Sequence, residues 1–175
     1  GITFIFVTHD QEEALTMSDR IAVMSDGKVQ QLGGARDIYE TPDNVFVADF
    51  IGETNLLKIT VDQIIDGRAH CQLGGGHKLT CNEVQGIGVG TQVHLSVRPE
   101  RLFLSTQPFE EESMAATVIE NIYVGTDVQS IVQLNDGPKM TIRTQNSELG
   151  NKAVFDLGTN VFVSMEAGAA RLLHD

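Results

Sequence analysis

The sequence predicts a chain of two parts, a short α+β segment followed by a larger all-β domain. Helical patterns are confined to the region before about residue 55, and the residues after it form short alternating apolar runs separated by Gly, Asn and Asp. The 175 residues suffice for two small cores. We therefore assign one domain to residues 1–54 and a second, all-β barrel or sandwich, to residues 55–175.

The first part opens with a strand prediction followed by a helix prediction. Ile2–Val7 is an almost unbroken apolar run, which is typical of a strand covered on both faces in a parallel sheet. Asp10 and Glu13 have the spacing of a capping box, so we expect a helix from about Gln11 to Ser18. In this arrangement Asp10 and Glu13 act as helix caps, and the side chains of Gln11 and Glu12 face solvent.

A β-hairpin and two short helices are predicted next. Asp26-Gly27 accommodates the positive backbone angles of a tight turn between candidate strands at 20–24 and 28–32. A helical turn at 35–39 stops before a proline, and a second helix at 44–51 ends at Gly52.

The all-β part contains an internal repeat. Residues 72–80 align with 133–141, and residues 90–97 align with 158–165. Each copy then continues to an Arg-Leu pair, Arg101-Leu102 or Arg171-Leu172. Matching blocks in the same order predict two half-domains of similar structure, with chance similarity among hairpins as the alternative.

The composition excludes several classes of function. A formal net charge of -12, no basic cluster and only 6% aromatic residues without tryptophan argue against nucleic acid and anionic lipid as partners. No window has the roughly 18 apolar residues of a membrane span, and Gly1-Ile2-Thr3 lacks the basic start of a secretory signal. We therefore expect a cytosolic protein.

No metal site or reactive thiol is predicted. His70, Cys71, His77 and Cys81 have the residue types of a zinc site, but His70 and Cys71 are strand neighbours that point to opposite faces. Nothing in the sequence indicates a lowered thiol pKa, so we expect two buried, free cysteines. A phosphate-binding loop is also missing, because Gly27-Lys28 is followed by valine and Ala22 stands where its first glycine belongs.

Three segments carry a resemblance to a known family. Residues 4–14, with 18–24 and 26–28, strongly resemble the switch-histidine segment of ATP-binding cassette (ABC) importer ATPases. Val97–Glu100 within the β-rich tail resembles their accessory regulatory region, the transport-associated OB (TOBE) domain, which is a tandem of OB-like halves. Residues 50–55 look like the linker of the spermidine/putrescine importer group.

The resemblance implies a fold, a site and partners. It implies an α+β fragment of a nucleotide-binding domain followed by an all-β tandem OB-like barrel domain, without the phosphate loop, signature loop and catalytic glutamate of the family. His9 would be the catalytic switch residue, facing the γ-phosphate of ATP in the intact ATPase. The intact parent would use ATP and Mg, whereas none is expected bound to this chain alone.

The same resemblance implies an assembly and a location. The partners would be transmembrane permease subunits and a second copy of the chain, placing the protein at the inner face of the cell membrane. Met165 stands where relatives often have tryptophan, so packing that depends on an indole is not expected here.

Arg98 and Glu100 flank Pro99 at the end of a predicted strand and have two interpretations. They form a structural ion pair or turn, which we favour because surface ion pairs are common, or a regulatory edge that faces a ligand or partner. A different class of function also stays open, in which the tandem halves form a non-enzymatic module that binds an oxyanion such as molybdate.

Overall fold

The structure is a computed structural model that describes residues 1–82, 86–109, 112–145 and 154–174. It divides into two compact units, Gly1–Glu53 and Thr54–His174. No helix in these described ranges is long and apolar enough to cross a membrane.

The first unit consists of three short helices and one hairpin. Its elements are α1 (Gln11–Met17), β1 (Ile21–Ser25), β2 (Lys28–Gly33), α2 (Ala35–Glu40) and α3 (Val45–Phe50). Asp26 and Gly27, with φ values of 51° and 72°, form the turn between β1 and β2, as predicted from the Asp-Gly pair. The helices predicted at 35–39 and 44–51 are confirmed as α2 and α3. The Asn44 side chain caps α3 by accepting a hydrogen bond from the Val47 N–H.

The predicted strand at Ile2–Val7 is wrong for this structure. These residues are irregular, and Phe4 and Ile5 are 83% and 92% exposed. A strand is stabilised by hydrogen bonds to a neighbouring strand, and within the described part of the chain no strand pairs with this segment. The segment is apolar, but it does not belong to any sheet of the described residues.

The described residues of the second unit form ten strands in two antiparallel sheets. The strands are β3 (Asn55–Ile65), β4 (Arg68–Leu73), β5 (Lys78–Asn82), β6 (Gln92–Val97), β7 (Leu102–Ser105), β8 (Met114–Val124), β9 (Asp127–Leu134), β10 (Lys139–Gln145), β11 (Asn160–Met165) and β12 (Arg171–Leu173). The first sheet has the order β12-β6-β3-β4-β5, and the second has the order β10-β9-β8-β11-β7.

The two sheets have the same strand order and exchange one strand each. β7 follows β6 in the chain but pairs with β11 in the second sheet, and β12 follows β11 but pairs with β6 in the first sheet. Buried side chains from both sheets form one hydrophobic core. Because each half supplies an edge strand to the other, neither half completes its sheet alone.

Backbone hydrogen bonds confirm the internal repeat. The Val61 N–H donates to the Thr91 carbonyl at 3.0 Å, and the Val118 N–H donates to the Thr159 carbonyl at the same distance of 3.0 Å. Gly90 and Gly158 both have a φ of 81° and donate to the carbonyls of those same valines. The long strands β3 and β8 also carry a bulge directly after the paired valine.

One detail of the predicted repeat is wrong, namely the match between its two Arg-Leu pairs. Leu104 pairs with Val163, and Leu172 pairs with Leu95, which is the counterpart of Val163 in the first half. Leu172 therefore corresponds to Leu104 and not to Leu102. The shared Arg-Leu letters are a coincidence of two strands that the backbone places in a different register.

The tips of two equivalent hairpins meet between the halves. Gly75 has a φ of 80°, and a Cβ atom at this position would overlap the Asn135 carbonyl oxygen. His77 Nε2 forms a hydrogen bond of 3.0 Å with the same oxygen. The contact requires glycine at position 75 because it brings two backbones together at a positive φ.

Candidate functional site

His9 lies exposed on a bend directly before α1. The Asp10 N–H donates to Thr8 Oγ1 at 2.9 Å, and Thr8 Oγ1 donates to Glu13 Oε2 at 2.8 Å. The residues on both sides of His9 are therefore joined to each other and to the first turn of α1. This leaves the imidazole directed to solvent from a backbone that hydrogen bonds hold in place.

Asp10 is the N-cap of α1, as the sequence predicts. Its Oδ1 accepts hydrogen bonds from the N–H groups of Glu12 and Glu13, at 2.9 and 3.1 Å. Glu13 does not complete a reciprocal capping box, because its carboxylate accepts from Thr8. The two acidic residues in the first turn, Glu12 and Glu13, also stabilise the helix because their negative charges lie at the positive end of its dipole.

Gln11 is half-buried, so the expectation that it faces solvent is wrong. Its Oε1 accepts a hydrogen bond of 2.8 Å from the N–H of Gly52. Gly52 follows the C-cap residue Ile51 of α3 and has a φ of 73°. The helix that begins beside His9 is therefore tied to the last residues of the first unit.

The Arg98–Glu100 segment forms a tight turn between β6 and β7. Pro99–Arg101 is one turn of 3-10 helix, closed by the Arg101 N–H donating to the Arg98 carbonyl at 3.0 Å. Arg98 is only 6% exposed, whereas Glu100 is exposed. A partner that approached this turn from solvent would meet Glu100.

Arg101, at the end of this turn, forms an ion pair with Glu166. Arg101 Nη1 lies 2.8 Å from Glu166 Oε2, and the Glu166 N–H donates to the Arg101 carbonyl at 3.0 Å. Glu166 directly follows β11, so the two contacts join the corresponding turns of the two halves. Because both side chains are substantially exposed, the ion pair itself contributes little to stability.

Asn55 is a buried polar residue that the sequence analysis did not single out. Its Nδ2 donates to the Thr141 carbonyl at 2.8 Å and to the Val97 carbonyl at 3.3 Å, and its Oδ1 accepts from the Thr141 N–H at 2.7 Å. The carboxamide thus pairs with edge strand β10 in the way that a neighbouring strand would. The signal in the sequence that could have identified Asn55 is a polar residue at an inward-facing position of β3.

The two cysteines are buried and free, as predicted. Cys71 and Cys81 lie on neighbouring strands, and the hydrogen bond that the Cys81 thiol donates to the Cys71 sulfur, together with burial, raises the pKa of Cys81 well above its ordinary value. Cys81 is therefore a neutral thiol at physiological pH. The same hydrogen bond lowers the pKa of the Cys71 thiol. Across the described residues no group of three or more His, Cys, Asp or Glu side chains is arranged to hold a metal ion.

Comparison with known proteins assigns both parts of the chain. A family model for the TOBE domain matches residues 95–173. The spermidine/putrescine import ATP-binding protein PotA of Roseobacter denitrificans is 59% identical over 173 residues, which is 99% of this chain and 48% of that protein. The protein of the same name from Pseudomonas fluorescens is 48% identical over 175 residues, which is 100% of this chain and 46% of that protein.

The chain belongs to this family of importer ATP-binding proteins. It corresponds to their C-terminal part with the TOBE domain, and it spans about half the length of the relatives that it matches. The resemblance of the segment around His9 therefore rests on a family relationship that covers both units.

The fold of this chain also has a counterpart among solved structures. The cytoplasmic molybdate-binding protein ModG, solved with molybdate bound, aligns with a TM-score of 0.61 over 69% of this chain and 96% of its own chain. The two sequences are 18% identical. This similarity agrees with OB-like, barrel-type sheets.

Proposed function

We propose that this chain is the C-terminal part of the ATP-hydrolysing subunit of an ABC importer for polyamines, with His9 as its catalytic switch residue. Residues 1–54 would be the last piece of the nucleotide-binding domain, and residues 55–175 would be its regulatory β-domain. The observation that carries the proposal is the 59% identity, over almost the entire chain, to a spermidine/putrescine import ATP-binding protein.

The geometry around His9 suits this role. A group that stabilises charge on a phosphate during hydrolysis must be exposed to the nucleotide and oriented before the reaction begins. His9 is exposed, and the hydrogen bonds of Thr8, Asp10 and Glu13 fix the backbone on both sides of it. In the complete ATPase the imidazole would supply a hydrogen-bond donor to a phosphate oxygen.

We propose that nucleotide binding requires the complete subunit. The sequence has no glycine-rich phosphate loop with its lysine, which would supply most of the contacts to the phosphates. We therefore assign ATP and Mg to the complete subunit and derive no step of hydrolysis within this chain.

The proposed partners follow from the importer role. Permease subunits in the membrane would bind the complete ATPase at the cytoplasmic face, and a second copy of the subunit would complete the dimer. The net charge of -12 disfavours a direct electrostatic attraction to anionic lipid. We therefore propose that the complete subunit attaches to the membrane through its permease partners.

The test is steady-state ATP turnover of the full-length protein with and without His9→Ala. We expect kcat to fall at least about a hundredfold while ATP affinity changes little, since the lost contact acts mainly in the transition state. Asp26→Asn, which changes an exposed residue of the same unit and keeps a side chain that tolerates the positive φ of this turn, serves as the control. Equal kcat values for wild type and His9→Ala would reject the assignment of His9.

A second candidate is the non-enzymatic oxyanion-binding module, and the fold similarity to molybdate-binding ModG is the observation that favours it. Native mass spectrometry after incubation with molybdate separates the two candidates. An oxyanion module would retain molybdate in stoichiometric amounts, whereas a regulatory tail of an importer would not.

A further inference from the structure

We propose that Gln11 is a positioning residue that couples the His9 bend to the junction between the two units, through the hydrogen bond that it accepts from Gly52. This inference rests on the proposed role of His9. It adds a mechanical connection between the switch residue and the segment that enters the β-domain.

The first argument concerns the N–H of Gly52. A left-handed residue directly after a helix usually donates its N–H to a carbonyl of the last helical turn. Gly52 occupies this position after α3, with a φ of 73°. Its N–H instead donates to Gln11 Oε1 at 2.8 Å, although Gln11 is 41 residues away in the sequence. The end of α3 therefore depends on a side chain from α1.

The second argument concerns the attachment of α1. This helix has seven residues and no buried side chain, and only Ala14 and Leu15 pack partly against the core of the unit. So short a helix has little stability of its own. The Gln11–Gly52 hydrogen bond is thus a substantial share of what fixes the orientation of α1.

The third argument connects α1 to His9. Asp10 caps α1 through its Oδ1, and its carbonyl accepts the Ala14 N–H at 3.2 Å, so the residue next to His9 moves with the helix. At the other end of the connection, Gly52 is followed by Glu53, the last residue of the first unit, and by Thr54, the first residue of the second.

A change of backbone conformation at Gly52 would therefore tilt α1 and displace the His9 bend. By reciprocity, a shift of His9 on reaching its phosphate would alter the conformation of the junction. The regulatory β-domain would influence ATP hydrolysis through this hydrogen bond, without contacting the nucleotide.

Two variants at position 11 separate the hydrogen bond from general stability. Gln11→Leu removes the acceptor, and Gln11→Glu keeps an acceptor oxygen at the same distance along the side chain. Gln11→Asn is a third variant, whose shorter side chain keeps the polarity but loses the reach to Gly52. Gln72→Leu, at an exposed position of β4, is the matched control.

The first readout is amide hydrogen exchange of Gly52 in the 175-residue chain. We expect roughly tenfold faster exchange at Gly52 in Gln11→Leu and Gln11→Asn, and a wild-type rate in Gln11→Glu and Gln72→Leu. Wild-type exchange in both variants that lose the acceptor contact would overturn the proposal.

The second readout is ATP turnover of the full-length protein. We expect kcat to fall at least about fivefold in Gln11→Leu and Gln11→Asn with an unchanged KM for ATP, and to return to the wild-type value in Gln11→Glu. Equal kcat in all three variants and wild type would overturn the inference.

His9→Ala, measured in parallel, distinguishes the two levels of the argument. If His9→Ala reduces kcat and Gln11→Leu does not, the inference about Gln11 is wrong and the proposed function stands. If His9→Ala has no effect on kcat, the proposed function itself fails.

Discussion

The carboxamide of Asn55 is expected to be a major contributor to the stability of the β-domain. It is 7% exposed and makes three hydrogen bonds to the backbone, two with Thr141 and one with Val97. Asn55→Ala removes all three. At about 1 kcal/mol for each bond, we expect the free energy of unfolding to fall by about 3 kcal/mol.

The assay for this prediction is urea unfolding followed by far-UV circular dichroism, with amide exchange of β10 to localise the effect. With a denaturant slope of about 2 kcal/mol/M, the loss moves the midpoint of the β-domain transition down by about 1.5 M. Exchange should accelerate at Thr141, whose N–H loses its acceptor. Asn82→Ala, at an exposed position of β5, is the control and should cost less than about 0.5 kcal/mol.

The reasoning would be refuted if Asn55→Ala and Asn82→Ala had the same midpoint. That result would mean that water replaces the carboxamide at the edge of β10 without cost. The Asn55 contacts would then be a consequence of the fold and not a cause of its stability.

Three further predictions address the hairpin contact, the buried thiol and assembly. In urea unfolding, Gly75→Ala should lower the free energy of unfolding by at least about 1 kcal/mol more than Gly67→Ala. Both positions have a positive φ, but only a Cβ at position 75 meets backbone atoms of the other half. Equal losses of stability in the two variants would show that the hairpin tips separate freely. The raised pKa of Cys81 removes stability as the pH rises above about 8.5, where an unfolded thiol ionises, whereas the lowered pKa of its partner Cys71 adds stability over the same range. Because the two shifts oppose each other, the wild type should lose less than about 1.4 kcal/mol more than Cys81→Ala between about pH 7.5 and 9.5, and a larger excess loss would contradict this. Light scattering at low micromolar concentration should give twice the chain mass of 19.0 kDa, because the exposed apolar segment at 2–7 recruits a second copy. A mass of one chain would show that the expected dimer does not form.

Features specified by local chemistry were predictable from the sequence. The Asp26-Gly27 turn follows from two adjacent residues that tolerate positive φ, and the N-cap Asp10 follows from a side chain that accepts nearby N–H groups. The repeat was visible because its glycine turns recur with the same neighbours, as at Gly90 and Gly158.

Features specified by distant partners were not predictable. An apolar run such as Ile2–Val7 indicates that a strand can form but carries no information on whether a neighbouring strand is present to pair with it. The residues around Gln11 do not indicate that its Oε1 accepts a hydrogen bond from the N–H of Gly52. The exchange of β7 and β12 between the sheets is also not predictable from the sequence, because each strand directly follows a strand of its own half in the chain.

For the candidate site, the sequence led to His9 through resemblance and to its cap through spacing. It did not reveal how Thr8 connects His9 to α1, because a threonine hydroxyl has many possible partners within a turn. It also did not reveal that Arg98 is buried while Glu100 is exposed, since both are charged residues on the same short turn.

The central claim is tested most directly by polyamine uptake in cells whose only copy of the importer ATPase is the full-length form of this protein. Labelled spermidine uptake should be restored by the wild type and reduced to the background of cells without the subunit by His9→Ala, with both proteins present in equal amounts. Uptake that is equally rapid with His9→Ala, or no uptake with the wild type, would contradict the assignment of this chain to a polyamine importer driven through His9.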